Sequence, residues 1–204
     1  MLHRKTIAAP TLGLLKDIIA IPELSAFNLV GGTSLALQIG HRLSVDLDFF
    51  GNRPFETQEI LDLLQPIGKV RIISQSKNIL ILNVEGVKVD FVNYRYPLIS
   101  EVIHTEGLRL LDLPDIAAMK LAAIAGRGRK KDFIDIYFLL KKYSLAQLFE
   151  FYNTKYEDGS VLMVSRSITY FDDADHDEDL MLFKTVPWEK IKEVIRKEIK
   201  KLYA

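Results

Sequence analysis

The sequence has 204 residues, 49% of them hydrophobic, which is enough for one large domain or two small domains that share a core. Lysine plus arginine and aspartate plus glutamate number 27 each, and this zero formal net charge disfavours a protein that coats nucleic acid through a general basic excess. The absence of cysteine excludes disulfides and thiolate sites, and no apolar run reaches the roughly 18 residues of a membrane span, so we expect a cytoplasmic protein that does not enter membranes.

The first half of the chain alternates between helical and strand patterns. Helical segments lie before residue 24, in "SLALQIG" and from Pro54 onward; strand segments are "AFNLV", "VDLDFFG", "KVRIISQ", "NILILNV" and "VKVDFVNY". Asn78 and the pair Glu85-Gly86 predict hairpin turns between the last three strands. This order predicts a mixed sheet with flanking helices that contains both hairpins and a strand–helix–strand unit.

The second half of the chain has helical patterns throughout. The candidate helices are "PDIAAMKLAAIAG", "KDFIDIYFLLKKY", "SLAQLFEFYNTKY", "VLMVSRSITYF" and "PWEKIKEVIRKEIKKLY". Trp188, Ile191 and Ile195 form a stripe along the last of them, which predicts a buried face. We therefore expect an α+β fold in which residues 1–112 form the sheet-containing core and residues 113–204 form an α-helical domain.

Two aspartates interrupt the apolar strand "VDLDFF". Because side chains alternate along a strand, Asp46 and Asp48 point to one face, while Leu47 and Phe49 point to the other. Asp90 interrupts the later strand "VKVDFV" in a similar way. If the two strands are neighbours, three carboxylates converge, and carboxylates that leave water need a partner that offsets their desolvation.

A hard divalent cation is the partner that suits three converging carboxylates. Oxygen ligands favour Mg²⁺, which keeps substrate phosphates in its coordination shell, and Mn²⁺ is a candidate substitute. Either one ion or two would serve, since two ions about 3.5–4 Å apart can clamp the attacking and leaving oxygens of a phosphoryl displacement. The alternative is an ordinary surface strand on which Arg42 or Arg53 pairs with these acids.

Two glycines precede the aspartates at the start of a short helix. Gly31 and Gly32 allow the backbone to approach a phosphate closely, and the N–H groups at a helix start attract anions. Thr33 or Ser34 can add a hydroxyl donor. Neither GxGxxG nor GxxxxGK[ST] occurs, which excludes the Rossmann and P-loop patterns, and a tight turn is the alternative interpretation of the glycine pair.

These segments together resemble a known family. "GGTSLAL", "HRLSVDLDFF" and "VKVDF", in this order, are similar to the minimal nucleotidyltransferase motif of the DNA polymerase β superfamily. The closer resemblance is to the AbiEii/AbiGii nucleotidyltransferase toxins of abortive-infection and toxin–antitoxin loci, and it extends to "KLAAIAGRGRKKDFIDIYFLL" and the late "SITYFDDAD". It implies a nucleotidyltransferase-like sheet followed by a helical domain that completes the active-site cleft.

The resemblance implies Mg²⁺-dependent transfer of a nucleoside monophosphate from a nucleoside triphosphate to an acceptor hydroxyl, on RNA such as a tRNA 3′ end or on protein. A cognate antitoxin is a candidate partner. The competing hypothesis is a non-catalytic protein that keeps the fold and binds nucleotide or antitoxin. The implied metal ligands are Asp46, Asp48 and Asp90, the last of which can also help to deprotonate the attacking hydroxyl. The implied phosphate-binding residues are Gly32 and Ser34 or Thr33, to which we add Gly31 and Arg42 as candidates from the same segments.

The helical half contributes a second group of candidate residues. Lys120 and Arg127 share one helix face at i and i+7, so two cations can flank a triphosphate, although a solvated lysine is the alternative. The resemblance assigns Lys120 and Asp135 to the helical motifs of the family. We interpret Asp135 as an orienting residue that pairs with Lys120 or Arg127, and Asp132 as a first-turn acid that the helix dipole favours.

Two charged segments lie outside these motifs. The basic segment "GRGRKKD" at 126–132 either contacts the phosphates of an RNA acceptor or forms a solvated turn between helices. The acidic segment "DDADHDED" at 172–179 lacks the spacing of an EF-hand calcium loop. We expect the acidic segment to be a solvated loop or a surface that docks a partner.

Overall fold

The computed structural model describes residues 1–204 and divides the chain into two compact units. The sheet unit comprises Met1–Tyr96 and Glu101–Leu111, and it contains all the strands. The helical unit comprises Pro97–Ser100 and Asp112–Ala204. None of the helices in either unit has the length and apolar character that crossing a membrane requires.

Seven strands and three α-helices form the sheet unit. The strands are β1 (Asn28–Leu29), β2 (Leu47–Gly51), β3 (Val70–Gln75), β4 (Ile79–Val84), β5 (Val87–Asn93), β6 (Ile103–Thr105) and β7 (Leu108–Leu110). The helices are α1 (Ala9–Ala20), α2 (Gly31–Ile39) and α3 (Thr57–Leu64). The strand order is β3-β4-β5-β2-β1-β7-β6; β2 runs parallel to β5 and β1 runs parallel to β7, while the other neighbours are antiparallel. This mixed sheet with its helices confirms the predicted α+β class.

Two hairpin turns have a left-handed backbone. Glu85 and Gly86, with φ of 50° and 86°, form the predicted turn between β4 and β5. Glu106 and Gly107, with φ of 51° and 79°, form an equivalent turn between β6 and β7. The sequence did not predict this second hairpin, because strands of three residues are too short for an alternating pattern to be recognised.

Two elements begin later in the chain than the sequence predicted. Helix α3 begins at Thr57 rather than Pro54, because Glu56 still has an extended backbone with φ of −95° and ψ of 141°. Strand β2 begins at Leu47, so that Asp46 lies immediately before the strand instead of inside it. The side chain of Asp46 therefore extends from the connection between α2 and β2.

One face of the sheet is buried, and the other carries the carboxylates. In β2, Leu47 and Phe49 are fully buried, whereas Asp48 and Phe50 are half-buried, and β5 alternates in the same way. Phe49 and Phe91 stack in the core with ring centroids 5.3 Å apart, and buried side chains of α1 and α3 join them. Each large buried side chain stabilises the fold by about 1.5–3 kcal/mol. We call the opposite face, defined by Asp48 and Asp90, the carboxylate face.

Six helices form the helical unit. Their bounds are α4 (Leu113–Gly126), α5 (Lys130–Leu139), α6 (Leu145–Lys155), α7 (Val161–Ser167), α8 (Asp172–Asp175) and α9 (Trp188–Leu202). Ile191 and Ile195 of α9 are buried, in agreement with the predicted apolar stripe. The short helix α8 lies within the acidic segment 172–179, where the sequence predicted a loop.

A fully buried ion pair fixes Pro97–Ser100, the segment between β5 and β6, to the first turn of α4. The Nζ of Lys155 lies 2.6 Å from Oδ1 of Asp115, and neither side chain is exposed. The backbone N–H groups of Ile99 and Ser100 donate to the same carboxylate at 3.1 and 3.0 Å, and Lys155 also donates to the carbonyl of Pro97 at 2.8 Å. These bonds satisfy both buried charges, which would otherwise destabilise the fold strongly.

Candidate active site

Asp48 and Asp90 lie side by side on the carboxylate face. They are partners in the parallel pairing of β2 with β5, so their Cα atoms are separated by about one strand spacing, roughly 4.8 Å. Asp90 Oδ2 accepts a hydrogen bond from Lys88 Nζ at 2.5 Å. The other oxygen, Oδ1, is buried and has no hydrogen-bond partner. Asp90 therefore has one carboxylate oxygen that the protein does not satisfy.

The donor chemistry at this place suits a hard cation. Asp46, Asp48 and Asp90 offer carboxylate oxygens only, and Oδ1 of Asp90 needs a partner. No group of three or more histidine, aspartate or glutamate side chains is arranged as a metal cluster, however. The Lys88 ammonium pairs with Oδ2 of Asp90 and so partly neutralises this carboxylate. The sequence analysis missed Lys88, although its position two residues before Asp90 puts both on one strand face.

The glycines at the start of α2 are in direct contact with this site. Gly31 has a left-handed backbone with φ of 65°, and a Cβ atom there would collide with Oδ2 of Asp48. The N–H of Val30 donates to the carbonyl of Asp48 at 2.8 Å, which holds the helix start beside β2. Gly32 lies equally close to the guanidinium of Arg42. A side chain at either position would therefore displace the end of the Asp48 or Arg42 side chain, and the backbone conformation of Gly31 additionally favours glycine.

The hydroxyls of Thr33 and Ser34 are engaged inside the protein, which differs from their predicted role as phosphate donors. Thr33 is buried, and its Oγ1 donates to Ser44 Oγ at 2.8 Å and contacts the carbonyl oxygen of Asp46. Ser34 is fully buried; its Oγ accepts from Gln38 Nε2 of the same helix at 3.1 Å and donates to the carbonyl of Leu111 at 3.4 Å. These bonds connect α2 to its surroundings, so the groups of α2 that can meet a phosphate are backbone N–H groups of its first turn.

Arg42 adds a positive charge next to these N–H groups. Its side chain is 3% exposed, and its Nη1 donates to the carbonyl of Leu43 at 3.0 Å. Its Nη2 lies against the backbone of Gly32. The combination of a helix N-terminus and a guanidinium provides an electrostatic environment that favours an anion.

Lys120 and Asp135 form part of a buried ion network in the helical unit. Lys120 Nζ lies 2.8 Å from Asp132 Oδ1 and 2.7 Å from Asp135 Oδ2, and both carboxylates are fully buried. Arg127, whose side chain is 59% exposed, approaches Asp132 Oδ2 at 3.3 Å. Of the two partners predicted for Asp135, the structure has Lys120. The interpretation of Asp132 as a simple first-turn acid was incomplete, because Asp132 bridges Lys120 and Arg127.

The acidic segment 172–179 and the basic segment 126–132 pair with each other, which no pattern in the sequence predicted. Arg129 Nη2 lies 2.8 Å from Asp177 Oδ1, and the backbone N–H of Lys130 donates to Asp177 Oδ2 at 2.8 Å. Burial alone would raise the pKa of Asp177, but the hydrogen bonds from Arg129 and Lys130 outweigh it and lower that pKa. The hydrogen bond between Arg129 and Asp177 also raises the pKa of Arg129. Asp177 therefore stabilises the fold of the helical unit by linking the acidic segment to the start of α5.

Asp175 also has an internal role. The indole N–H of Trp188 donates to Asp175 Oδ1 at 2.5 Å, and Lys192 Nζ donates to the same oxygen at 3.0 Å. The Trp188 hydrogen bond, followed by that of Lys192, lowers the pKa of Asp175. Asp175 is exposed and Asp177 is partly buried, and both also join the acidic segment to neighbouring helices, which the expectation of a solvated loop did not include.

A comparison with known proteins identifies relatives over most of the chain. The model of the family described as "Nucleotidyl transferase AbiEii toxin, Type IV TA system" matches residues 13–201. An uncharacterised protein of Aquifex aeolicus is 35% identical over 194 residues, which cover 91% of this chain and 92% of that protein.

Two of the solved structures with a similar fold are bacterial proteins. MenT4, a nucleotidyltransferase toxin of Mycobacterium tuberculosis, aligns with a TM-score of 0.62 at 16% identity, covering 95% of this chain and 82% of that chain. JHP933 of Helicobacter pylori aligns with a TM-score of 0.55 at 19% identity, covering 97% of this chain and 96% of that chain. At these identities the likeness establishes the fold, and the chemistry has to be argued from the site.

Proposed function

We propose a function from one premise: the chain belongs to the AbiEii nucleotidyltransferase toxin family. The protein is therefore a nucleotidyltransferase, an enzyme class that uses divalent metal ions. We propose that it transfers a nucleoside monophosphate from a nucleoside triphosphate to an acceptor hydroxyl, with Mg²⁺ as the metal and Mn²⁺ as a substitute. The proposed acceptor is RNA such as a tRNA 3′ end, with a protein hydroxyl as the alternative.

The unsatisfied oxygen of Asp90 is the observation that supports this proposal most directly. A buried polar atom without a partner costs about 1–3 kcal/mol, so folds rarely leave one without a reason. Asp90 Oδ1 is such an atom, and it lies in register with Asp48 on the carboxylate face. A divalent cation held by Asp46, Asp48 and Asp90 would satisfy it, and when bound would neutralise phosphate charge and make the acceptor hydroxyl more acidic.

The groups beside the carboxylates suit the triphosphate. We propose that the backbone of Gly31 and Gly32, together with Arg42, binds the phosphates that leave as pyrophosphate, because this helix start and guanidinium favour anions. Thr33 and Ser34 then act as positioning residues, since their hydroxyls bond to Ser44 and to the carbonyl of Leu111, outside α2. The glycines cannot be replaced without displacing Asp48 or Arg42.

The reaction itself requires positioning and charge neutralisation more than covalent chemistry. A bond forms between the acceptor oxygen and the α-phosphorus, the bond from that phosphorus to the bridging oxygen breaks, and pyrophosphate leaves. We propose that the carboxylate of Asp90 receives the hydroxyl proton. In the helical unit, Arg127 stays a proposed nucleotide-binding residue, because its side chain is 59% exposed. Lys120 and Asp135 are proposed as positioning residues, because Asp132 and Asp135 already hold the buried ammonium.

Incubation with each α-labelled nucleoside triphosphate, Mg²⁺, and either total RNA or total protein tests the proposal. We expect label to pass to one of the two pools with release of pyrophosphate, and Asp48→Asn to abolish the transfer. Asp62→Asn, which alters an exposed carboxylate on α3 in the same unit, is the matched control and should keep full activity. Absence of transfer with all four triphosphates and both pools would overturn the proposed function.

Linked binding of nucleotide and metal provides a second test without an acceptor. A triphosphate brings negative charge toward three carboxylates, so we expect it to stabilise the protein in Mg²⁺ but not in EDTA. At 100 times its dissociation constant, a ligand adds roughly 2.7 kcal/mol of stability, which is readily seen as a rise in melting temperature. Asp46→Ala combined with Asp48→Ala should remove the dependence on Mg²⁺. Equal stabilisation in Mg²⁺ and EDTA would contradict a metal-linked nucleotide site.

A role as the toxin of a toxin–antitoxin pair is the cellular part of the proposal. Family membership supports it, and the activity proposed above would modify an essential acceptor. We expect induced expression of the wild-type protein to arrest bacterial growth, whereas Asp48→Asn at the same protein level should not. Equal growth arrest by both would show that toxicity does not depend on transfer.

A further inference from the structure

Three aromatic side chains continue the carboxylate face beyond the aspartates. Phe50 follows Asp48 by two residues in β2, so both side chains lie on the same face, about 6.6 Å apart along the strand. The rings of Phe50 and Tyr94 have centroids 4.9 Å apart, and those of Tyr94 and Tyr96 are 5.1 Å apart. We call these three residues the aromatic ladder. The ladder becomes more accessible toward its end, where Tyr96 is 50% exposed.

Backbone pairing holds the ladder next to the carboxylates. Phe50 is the register partner of Val92, two residues after Asp90 in β5. Beyond the end of β5, the N–H of Tyr94 donates to the carbonyl of Gly51 at 2.7 Å, so pairing with β2 continues. Two rungs of the ladder are thus fixed by the sheet, and their position relative to the aspartates does not depend on a mobile loop.

The ladder and the phosphate-binding groups lie at opposite ends of β2. Gly31 contacts Asp48, which lies near the start of the strand, and α2 extends away from β1 at that end. Phe50 pairs instead with Asn28, at the beginning of β1. The aspartates therefore lie between the proposed phosphate site and the aromatic ladder.

If the transfer is an in-line displacement, which rests on the proposed function, the order of phosphate site, aspartates and aromatic ladder determines the side from which the acceptor approaches. The attacking and leaving oxygens lie on opposite sides of the phosphorus. If pyrophosphate leaves toward Gly31 and Arg42, the acceptor hydroxyl approaches from the side of Phe50. The side chains on that side present aromatic faces, which stack on any nucleobase and give no comparable advantage to the aliphatic hydroxyl side chains of serine and threonine.

We propose that Phe50, Tyr94 and Tyr96 form a stacking platform for the terminal nucleobase of a nucleic-acid acceptor. The platform places the terminal ribose, and hence its hydroxyl, beside Asp90. Stacking does not distinguish one base from another by hydrogen bonds, so the platform recognises a single-stranded end and leaves sequence preference to other contacts. The acceptor of this enzyme is then a nucleic acid and not a protein.

Initial rates with a short single-stranded RNA as acceptor test the platform. Tyr96→Ala should raise the acceptor KM about tenfold, in the range of one base–aromatic stack, and leave the KM of the nucleoside triphosphate unchanged. Tyr94→Leu should likewise raise the acceptor KM, because it removes an aromatic face of the platform. Ile73→Ala is the matched control, since Ile73 is 57% exposed on β3 at the edge of the same sheet.

An acceptor that lacks its terminal base separates stacking from a general effect on folding. The wild type should bind this abasic RNA about tenfold more weakly than the intact RNA, and Tyr96→Ala should bind the two equally. Binding is measured by fluorescence anisotropy with RNAs that end in a 3′-deoxy sugar, which prevents turnover. Melting temperatures of the variants report whether the fold is retained.

The remaining outcomes overturn the platform in distinguishable ways. A raised KM for the triphosphate with an unchanged acceptor KM would place the base of the donor nucleotide on the ladder. Transfer to protein alone would remove the nucleic-acid acceptor, and transfer to RNA that is indifferent to Tyr96→Ala and to the abasic end would remove the stacking role; both leave the proposed nucleotidyl transfer intact. Absence of any transfer by the wild type would overturn the proposed function itself.

Discussion

The aspartates of the sheet unit and those of the helical unit differ in how completely their carboxylate oxygens are paired. In the helical unit, Asp115 and Asp132 are fully buried, and each accepts bonds from a lysine as well as from a backbone N–H or an arginine. Asp177 is paired with Arg129 and with the backbone of Lys130. In the sheet unit, Asp90 is paired on one oxygen only, and its second oxygen is buried without a partner.

This difference distinguishes carboxylates that build the fold from those that are suited to a ligand. A carboxylate whose oxygens are filled by cations and N–H groups stabilises the folded state, and a metal ion would have to displace those bonds. A carboxylate with an unfilled oxygen gains a bond when a cation binds, and before that it destabilises the protein. Substitutions in the two units should consequently have opposite effects on activity and stability.

The largest expected effect is on activity, from Asp48→Asn. Loss of a metal-binding charge should lower the transfer rate by at least about 10³-fold, because metal ligation contributes several kcal/mol and each 1.36 kcal/mol is a factor of ten. The melting temperature should stay the same or rise, since one of several like charges is removed. Activity assays and thermal unfolding of the same sample measure both. If Asp48→Asn kept its activity, or lost much of its stability, Asp48 would have a structural role and not a metal-binding one.

Asp115→Asn should give the reverse result in the helical unit. Removing one partner of a buried pair leaves Lys155 charged and unpaired, which should lower the free energy of unfolding by about 3–5 kcal/mol. Urea denaturation measures this loss. The double variant Asp115→Leu, Lys155→Met removes both charges and should recover much of the lost stability. If Asp115→Asn proved as stable as the wild type, the contrast between the two units would fail.

Lys88→Met sharpens the comparison within the sheet unit. Lys88 Nζ now neutralises Asp90, and its removal should raise the affinity for Mn²⁺ about three- to tenfold, because an exposed contact between like charges is worth roughly 1 kcal/mol. Titration of Mn²⁺ followed by electron paramagnetic resonance measures the affinity. Lys77→Met, an exposed lysine between β3 and β4, is the control. Unchanged or weaker Mn²⁺ binding by Lys88→Met would contradict competition between the ammonium and the metal.

The smallest expected effect concerns the acid sensitivity of the helical unit. The pKa of Asp177 is lowered in the folded protein, so its stabilisation is present above the pKa of the unfolded carboxyl and is lost as pH falls through the folded pKa. Asp177→Asn should therefore reduce stability at neutral pH by at most about 1 kcal/mol, and its stability should fall less than that of the wild type below about pH 4. Urea denaturation at pH 7 and pH 3 measures the difference, with Asp158→Asn as an exposed control. If Asp177→Asn lost more unfolding free energy than the wild type between pH 7 and pH 3, the predicted pH dependence would be contradicted.

Local pattern predicted the parts of the site that a single strand or helix determines. The alternation in "VDLDFF" places Asp48 opposite in direction to Leu47 and Phe49, and the burial of these residues agrees with it. The sequence could not show which hydroxyls would form hydrogen bonds inside the protein, so Thr33 or Ser34 was expected to donate to a phosphate. The bond of Thr33 to Ser44 depends on where the chain returns after α2, which is a matter of packing.

Charged residues were predicted least well, because the role of a charge depends on its partner. Asp132 and Lys120 are 12 positions apart, and Asp115 and Lys155 are 40 apart, so no local period relates them. These charged side chains can be buried only because each forms an ion pair with the other in the folded protein. No pattern in the sequence indicates which residues pair. The ion pairs of the acidic segment were not predicted for the same reason, since Arg129 lies just before α5 and Lys192 lies on α9.

The sequence by itself determined the family, the α+β class and the face on which each strand residue lies, because these follow from motif and from period along the chain. Only the tertiary structure decided that β5 pairs with β2 in the register that sets Asp90 beside Asp48, and that Phe50, Tyr94 and Tyr96 continue the same face. The physical reason is that strand order and register minimise the free energy of the whole sheet, including its buried face, and not of any one segment.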